Sequence, residues 1–239
     1  MEDHFNWEDY DNRHYIKKIM NDINNQFQFV ICGTDTDVGK TLISSLFVRG
    51  LNSFYWKPIQ SGIESETDSQ AVARLAKVNK AKIISEAYIF REPVSPHWAS
   101  EIDQKVINLQ LLDLPNFDGS LIVETAGGLM VPITRNYLQI DQIKKWDIPV
   151  ILVCKSGLGT LNHTLLSIEA LKKRNIKILG LVINGEKHLD NPKTLTEFSS
   201  LPIIAEFPYI QKIDSNNLDI LWEELNIKNK LITLLNQKK

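Results

Sequence analysis

Several residue types are scarce in this chain of 239 residues, and each scarcity excludes a class of protein. Only two cysteines occur, Cys32 and Cys154, and both lie in β-branched runs that are typical of strands. We therefore expect small core residues in a reducing cytoplasm rather than a disulfide or a metal pair. The five histidines show no ligand spacing, which argues against a zinc site.

A strong charge imbalance and long apolar runs are also missing. The net charge of −2 gives no reason to expect nucleic acid or an anionic membrane as a partner. No apolar stretch approaches the roughly 20 residues that span a bilayer, and the acidic, aromatic N-terminus lacks the apolar core of a secretory signal. We expect residues 1–26 to form an N-terminal extension, either a tail or a loosely docked helix. Residues 27–239 are long enough for a single α/β domain.

One apolar run, residues 27–32, is followed directly by the sequence GTDTDVGKT, residues 33–41. This order predicts a strand, a tight turn and a helix start, where backbone N–H groups and the helix dipole favour an anion. Lys40 then supplies a mobile cation for the β- and γ-phosphates, and the Thr41 hydroxyl can ligate Mg²⁺. A glycine turn without a ligand is the simpler alternative, and Gly-Lys-Thr in this context argues against it.

The loop departs from the general phosphate-loop pattern. Thr34 occupies the place of the first glycine, and Gly33 stands one residue earlier. Asp35 and Asp37 put two carboxylates where a polyanion would bind. They make sense if one binds structural N–H groups and the other approaches a cation or an amine.

Apolar strands alternate with helical segments along the chain. The predicted strands span residues 27–32, 53–58, 87–90, 120–125, 148–154, 177–184 and 202–208. The predicted helices span residues 42–51, 67–78, 106–114 and 164–174, with loops over residues 91–100 and 155–163. The pattern indicates an α/β fold of the P-loop NTPase type, a doubly wound and mainly parallel sheet with helices on both faces.

Polar residues follow the predicted strands at their carboxyl ends, where ligands collect in such sheets. Each has a plain alternative when taken alone. Lys57 could be a solvated lysine, Glu124 an edge carboxylate, and Asn184-Gly185 a simple turn. Taken together they favour a functional site, because one architecture brings them to the same edge as the phosphate loop.

With these motifs in order, residues 27–208 resemble the dethiobiotin synthetase family. The loop GTDTDVGKT is similar to that family's own version of the phosphate loop. The further matching motifs are YWKPIQSG (55–62), REPVSPHWAS (91–100), ETAGG (124–128) followed by Pro132, GLGTLNHTLL (157–166) and VING (182–185). The chain departs at Asp37, where the family more often has Glu, and at Thr125, where it usually has Gly.

The resemblance implies a ligase of biotin biosynthesis that uses ATP. It would take 7,8-diaminononanoate and CO₂ or bicarbonate, form a carbamate on one amine, and transfer the γ-phosphoryl group of ATP to it. The second amine would then displace phosphate and close the ureido ring, which gives dethiobiotin, ADP and phosphate. Cations are required, because two anionic reactants must meet.

The resemblance also implies roles for residues. Lys57 and Lys40 would be catalytic, and Mg²⁺ would bind Thr41, Asp68 and Glu124. The nucleotide would contact Asp37, Val38, Gly39, Lys40, Thr41, Leu42, Asp68, Glu124, Thr125, Ala126, Gly127, Asn184, Gly185, Pro208, Tyr209 and Ile210. The substrate would contact Thr36, Ser61, Gly159, Thr160 and Asn162. The last three would bind its distal carboxylate across a two-fold interface, so a homodimer is expected.

Three alternatives remain open. A partitioning or positioning ATPase would switch with nucleotide and bind DNA or a membrane, but its loop carries an extra lysine where this chain has residues 34–37. A cobyrinate-type amide-forming ligase would need a glutaminase domain, for which the chain is expected to be too short. A binding protein that keeps only the fold is disfavoured by the intact Lys40, Thr41, Lys57, Asp68 and Glu124.

Overall fold

A central parallel sheet organises the protein. The computed structural model describes residues 27–63, 66–116 and 119–236, so the predicted N-terminal extension lies outside the described residues. The sheet strands are β1 Gln28–Gly33, β2 Phe54–Trp56, β4 Ile83–Ile84, β6 Leu121–Gly128, β9 Val150–Lys155, β10 Ile178–Asn184 and β11 Ile203–Phe207. Their order is β11-β10-β9-β1-β6-β2-β4, with every neighbouring pair parallel.

Two small sheets lie outside the central one. They are the parallel pair β3 Ile59–Ser61 with β5 Tyr88–Phe90 and the antiparallel hairpin β7 Pro132–Thr134 with β8 Tyr137–Leu138. The described helices are α1 Lys40–Leu51, α2 Asp68–Ala76, α3 Pro96–Ile102, α4 Gln139–Trp146, α5 Thr160–Lys173, α6 Asn191–Ser199, α7 Ser215–Glu224 and α8 Ile227–Asn236.

Alternation along each central strand divides the apolar side chains between two cores. In β1, Phe29 and Ile31 face one core, whereas Val30 and Cys32 face the other. Helices α1, α2, α7 and α8 cover the first face, and α4, α5 and α6 cover the second. Because both faces are covered, these strands are apolar nearly throughout. The predicted parallel sheet with helices on both faces is confirmed.

The predicted helix over residues 106–114 is wrong. The structure has only a short 3₁₀ turn there, Leu109–Leu112. The Asn108 side chain accepts a hydrogen bond from Gln110 N at 3.0 Å, which competes with helical bonding. Pro115 then disfavours helical backbone at the residue before it. Leu112 is buried instead, and its carbonyl accepts bonds from two side chains of α4.

Two segments predicted as loops contain helix. Helix α3 begins at Pro96 inside the predicted loop 91–100, with Ser95 before it; a Ser-Pro pair is a known helix start. Helix α5 begins at Thr160, four residues before the predicted start. Helices α4, α6, α7 and α8 and the strands β3, β4, β7 and β8 were not predicted. Strand β5, predicted as a short strand over residues 87–90, pairs with β3 outside the central sheet.

No helix within the described residues is both long and apolar enough to cross a membrane.

Helix α7 packs so closely on α1 that only glycine fits at position 50. A Cβ built on Gly50 would lie 2.1 Å from the nearest ring atom of Trp222, and that ring also packs edge-on against Phe47. We expect Gly50→Ala to lower the free energy of unfolding by about 1–3 kcal/mol through overpacking. In an open helix position the same change would stabilise by about 1 kcal/mol. Urea denaturation measures the difference.

Trp222→Leu supplies the control background for this test. With the ring removed, Gly50→Ala should lose its penalty, since its collision partner is gone. An equal loss of stability in both backgrounds would show that the contact with Trp222 is not the cause.

Candidate active site

Two glycines let the chain turn tightly from β1 into α1. A Cβ on Gly33 would lie 2.7 Å from Val38 Cγ2 and 2.9 Å from the Asp35 carbonyl oxygen. Gly39 has φ +94°, and a Cβ there would lie 2.1 Å from Asn184 Nδ2. A side chain at either position would force this loop open.

The turn leaves the start of α1 free to receive an anion. No side chain caps the helix, since its N-cap residue is Gly39. The first helical bond runs from Ile43 N to Gly39 O at 3.0 Å, so the amides of residues 40–42 precede it. Uncapped amides and the helix dipole together form an anion site. Thr36 and Asp37 are exposed beside it, with Asp37 in the left-handed region at φ 55°.

Lys40 folds back over the loop. Its Nζ donates to the Asp35 carbonyl oxygen at 2.8 Å, and the side chain is buried. Burial lowers the pKa of Lys40, and the nearby charge of Lys57 lowers it further, against the opposing effect of Glu124. The ammonium group is therefore held at the loop with few polar partners.

A buried cluster of charges lies next to this loop; we call it the Lys57 cluster, made of Lys57, Asp68, Glu124, Thr41 and Tyr55. Lys57 Nζ bonds to Asp68 Oδ2 and lies 3.1 Å from Glu124 Oε1. Thr41 Oγ1 lies 2.6 Å from Asp68 Oδ1 and 2.9 Å from Glu124 Oε1. Tyr55 donates its hydroxyl to Glu124 Oε2 at 2.9 Å. Four elements, β2, β6, α1 and α2, thus meet at or beside two carboxylates.

The charges of the cluster stabilise one another. Burial alone would lower the pKa of Lys57, but Glu124 and Asp68 more than offset it, so the pKa is raised. Burial would raise the pKa of Asp68, but Lys57 and the Thr41 hydroxyl bring it below its ordinary value. Burial and the Glu124 charge raise the pKa of Tyr55 well above its usual range. These surroundings favour the charged ammonium form of Lys57, the ionised form of Asp68 and the neutral phenol of Tyr55.

Sequence reasoning missed Tyr55, although a signal existed. Tyr55 stands two residues before Lys57, and residues two apart along a strand point to the same face. A polar phenol on the face of a predicted active-site lysine was therefore a candidate. The apolar run around it made it look like an ordinary core aromatic.

The donor set at the cluster suits Mg²⁺. It comprises two carboxylates and one hydroxyl, from Asp68, Glu124 and Thr41. Mg²⁺ in proteins is usually held by one or two carboxylates, with phosphate oxygens and water completing an octahedron. Among the residues that the structure describes, no group of three or more His, Cys, Asp or Glu is arranged to hold a metal ion. This set is therefore suited to an ion that arrives with phosphate.

The ends of β9, β10 and β11 close the other side of the loop. Asn184 Nδ2 donates to the Val38 carbonyl oxygen at 2.9 Å, so its side chain lies against the phosphate loop. Gly185 has φ +128°, and its N–H donates to Phe207 O at 2.9 Å. Beyond β11, Pro208 and Tyr209 are exposed and Ile210 is half-buried.

The remaining residues of the predicted site differ in position. Ser61 Oγ and Thr125 Oγ1 are buried and have no hydrogen-bond partner within the part of the chain that the structure describes. Thr125 lines a cavity of about 10 Å³ together with its neighbour Glu124 and with Gln142. Ala126 follows half-buried, and Gly127 takes φ +66° beside the Thr36 hydroxyl.

The predicted carboxylate site lies at the start of α5. Gly159 is the N-cap with φ +89° and no side-chain cap is present. Thr160 is buried and its hydroxyl contacts Thr164 at 3.4 Å, whereas Asn162 is exposed. Across the described residues, none of the three shares a hydrogen bond with the Lys57 cluster. Strand β9, which leads to them, neighbours β1, which leads to the phosphate loop.

Comparisons of sequence identify the family. The chain matches the family described as "AAA domain" over residues 28–217. It is 43% identical over 189 residues to the ATP-dependent dethiobiotin synthetase BioD of Rhodopseudomonas palustris strain HaA2, covering 79% of this chain and 89% of that protein. The same enzyme of Bradyrhizobium diazoefficiens is 38% identical over 87% of this chain and 99% of its own length. These relatives confirm the family that the ordered motifs indicated.

Solved structures show a related fold. The septum site-determining protein MinD of Pyrococcus horikoshii, complexed with Mg-ADP, superposes with a TM-score of 0.55 at 13% identity, covering 90% of this chain and 96% of that one. A plasmid partition protein of Borrelia burgdorferi gives 0.51, also at 13% identity, with 90% and 99% covered. At such identity the likeness establishes the P-loop NTPase fold alone.

The lowered pKa of Asp68 makes its contribution to stability dependent on pH. Its charged form stabilises the fold above the unfolded-state pKa of about 3.9. That stabilisation is lost as the pH falls through the lower folded-state value. We expect Asp68→Asn to lower the free energy of unfolding at pH 7 and to differ much less from the unmodified protein at pH 3. Urea titrations at both pH values measure this.

Asp147→Asn is the matched control, because Asp147 is exposed at the end of α4. It should change little at either pH. A destabilisation by Asp68→Asn that is equal at pH 7 and pH 3 would contradict the expectation.

Proposed function

The chain belongs to the ATP-dependent dethiobiotin synthetase family, and we propose that it closes the ureido ring of dethiobiotin from 7,8-diaminononanoate, CO₂ and ATP. The supporting observation is the buried Lys57 beside an uncapped phosphate loop. Such a lysine suits a reaction in which an anionic carbamate attacks an anionic phosphate. The enzyme is accordingly a ligase of biotin biosynthesis.

The reaction proceeds in three steps. One amine adds to CO₂ with loss of a proton, which forms a C–N bond and a carbamate. A carbamate oxygen then attacks the γ-phosphorus of ATP, the bond to the β-phosphate oxygen breaks, and ADP leaves. The second amine attacks the carbonyl carbon, phosphate departs with that oxygen, and loss of a proton gives the cyclic urea.

Lys57 stabilises charge between the two reactants. An ammonium group has three N–H donors, and two of them are used by Asp68 and Glu124. The third remains for an oxygen of the carbamate or the γ-phosphate. The two carboxylates keep the ammonium charged and fix its direction, which is the preorganisation that electrostatic catalysis requires.

Lys40 and the loop amides bind the phosphate chain. Among the described residues, Lys40 bonds only to a neutral carbonyl, so a phosphate oxygen is a stronger partner for its ammonium group. The loop residues 37–42 wrap the β- and γ-phosphates with their backbone. Asp37 is exposed at the mouth of the loop, where it can approach an amine or a cation directly or through water.

Mg²⁺ would be held by Thr41, Asp68 and Glu124 and would neutralise charge on the β- and γ-phosphate oxygens. These residues also have structural roles that do not depend on Mg²⁺. The carboxylates orient Lys57, and Thr41 ties the start of α1 to α2 and β6.

The base end of ATP lies toward β10 and β11. Asn184 already contacts the loop through Val38, which supports a role for its amide beside the nucleotide. Gly185 and residues 208–210 continue along the same edge, with Tyr209 offering an exposed ring. The side chain of Thr125 is buried, so its part in binding would be through its backbone, as for Ala126 and Gly127.

The diamine lies between the Lys57 cluster and a second subunit. The buried, unpartnered Ser61 hydroxyl and the exposed Thr36 suit the polar groups at the reacting end. The distal carboxylate binds the uncapped start of α5 at Gly159, Thr160 and Asn162 of the neighbouring subunit. Beside that start, the Leu158 side chain is fully exposed, which fits an interface between two copies.

Residues 27–239 would act as one synthetase domain, with residues 1–26 as an extension to it. Both cysteines are free thiols buried in the two strands β1 and β9, which fits work in the reducing cytoplasm. A nucleotide-switched ATPase is less well supported, because MinD and the partition protein share only the fold with this chain.

The substitution Lys57→Met tests the catalytic assignment, since methionine keeps an unbranched chain and removes the charge. The unmodified protein should convert the diamine to dethiobiotin with Mg-ATP and bicarbonate, and should hydrolyse little ATP without the diamine. We expect Lys57→Met to lower product formation by about 10²–10³-fold or more. ATP affinity should stay within several-fold. Mass spectrometry of the product and calorimetry of nucleotide binding are the measurements.

Lys82→Met is the control, because Lys82 lies on the surface beside Asn52 and should retain full activity. Unchanged product formation by Lys57→Met would remove Lys57 from the mechanism. ATP turnover that ignores the diamine and responds to DNA or lipid would instead favour the switch ATPase.

The substitution Leu158→Asp tests the shared substrate site. A charge on this fully exposed side chain should separate the subunits if it lies in the interface, and the KM for the diamine should rise with little change in the KM for ATP. Sedimentation velocity and steady-state kinetics check both. Ile220→Asp on the exposed side of α7 is the control. A fully active monomer would contradict the shared site.

A further inference from the structure

Tyr55 reaches Glu124 because of the register between two neighbouring strands. Tyr55 of β2 pairs with Ile122 of β6, and Glu124 stands two residues further along β6. Residues i and j+2 on adjacent strands share a face and lie within reach of an aromatic side chain. The phenol therefore extends diagonally along the sheet to the carboxylate.

The contacts of Glu124 are divided between its two oxygens. Oε2 accepts the Tyr55 hydroxyl at 2.9 Å. Oε1 is contacted by Lys57 Nζ at 3.1 Å and Thr41 Oγ1 at 2.9 Å. One oxygen thus faces the buried sheet, and the other faces the start of α1 and the phosphate loop.

The division matters because Glu124 is completely buried. Both its oxygens need partners, since an unpaired buried carboxylate oxygen destabilises the fold. Tyr55 is also completely buried, so its ring cannot move aside without opening the core. A bond between two immobile side chains fixes the rotation of the carboxylate and keeps Oε1 aimed at the loop.

The geometry points to Tyr55 as a positioning residue: by holding Glu124 Oε2, it presents Oε1 alone as the ligand for Mg²⁺. This inference rests on the proposed function, in which Glu124 is a Mg²⁺ ligand. Without the phenol hydroxyl, the carboxylate could rotate, and Oε2 would compete for Lys57 and Thr41. Hydrogen-bond partners of metal ligands typically contribute about 10–100-fold to metal affinity.

The test is Tyr55→Phe, which keeps the ring and removes only the hydroxyl. Mg²⁺ is titrated into protein that contains adenylyl imidodiphosphate, and nucleotide binding is followed by calorimetry. We expect the half-saturating Mg²⁺ concentration to rise about 10-fold or more. Nucleotide affinity in EDTA should change by less than about twofold, because the loop amides and Lys40 are untouched.

Tyr88→Phe is the matched control. The Tyr88 hydroxyl accepts a bond from Asn108 N at 2.7 Å, away from the cluster. Its loss should leave the Mg²⁺ dependence unchanged. All titrations are repeated in sucrose, which stabilises folded proteins by exclusion from their surface, so that a marginally stable variant is measured in its folded form.

Two results would overturn the inference. One is a Mg²⁺ dependence of Tyr55→Phe equal to that of Tyr88→Phe. The other is an equal loss of nucleotide affinity in EDTA and in Mg²⁺, since that would indicate a general structural role.

Glu124→Gln separates this inference from the proposed function. If Glu124→Gln leaves the Mg²⁺ dependence unchanged, Glu124 is not a ligand and both statements fail. If Glu124→Gln weakens Mg²⁺ binding while Tyr55→Phe does not, only the positioning role fails. If both weaken it, Tyr55→Phe should add little in the Glu124→Gln background, because the two residues act as a unit.

Discussion

Two carboxylates lie close together in a largely buried part of this protein because an ammonium group lies between them. Asp68 and Glu124 come from different elements, and each contacts Lys57. Breaking such a pair from one side leaves an uncompensated buried charge, which typically destabilises a protein by about 3–5 kcal/mol. The cluster therefore contributes to the stability of the fold. Helices α1 and α2 are both tied to β6 through it.

The same arrangement explains how a loop with two aspartates can face a triphosphate. Asp35 and Asp37 are exposed, and the Asp35 side chain accepts the Thr36 amide at 2.7 Å instead of pointing into the loop. The positive groups, Lys40 and Lys57, are the buried ones. Because low-dielectric surroundings strengthen electrostatic interactions, the attraction of an anion to the buried cations at this site exceeds its repulsion by the exposed carboxylates.

The fold does not distinguish this chain from nucleotide-switched ATPases, since a parallel sheet with a phosphate loop serves both. Charged residues follow the strands in this chain. Lys57 after β2 and Glu124 within β6 create a charged cluster beside the loop. The start of α5, after β9, has no side-chain cap within the described part of the chain. The relation to the dethiobiotin synthetases is shown by identity along most of the chain.

Local patterns along the chain were sufficient to predict much of the fold and of the candidate site. Continuous apolar runs predicted the long central strands, because a sheet covered on both faces makes such runs necessary. The phosphate loop, Lys57 and Glu124 followed from motifs with short spacing, whereas Asp68 followed from the family resemblance. Helix 106–114 was wrong, because apolar spacing alone does not register Asn108 or Pro115. The C-terminal helices α7 and α8 were not predicted at all, although each buries apolar residues in the first core.

Patterns between near neighbours in the chain were enough to predict the fold class, the family and the main charged residues. Which of these groups touch depends instead on how distant segments pack. Tyr55 and Glu124 are 69 positions apart, and Thr41 and Glu124 are 83 apart. Such contacts depend on strand register and on how α1 and α2 pack, and a shift of one residue would turn these side chains to the other face of the sheet.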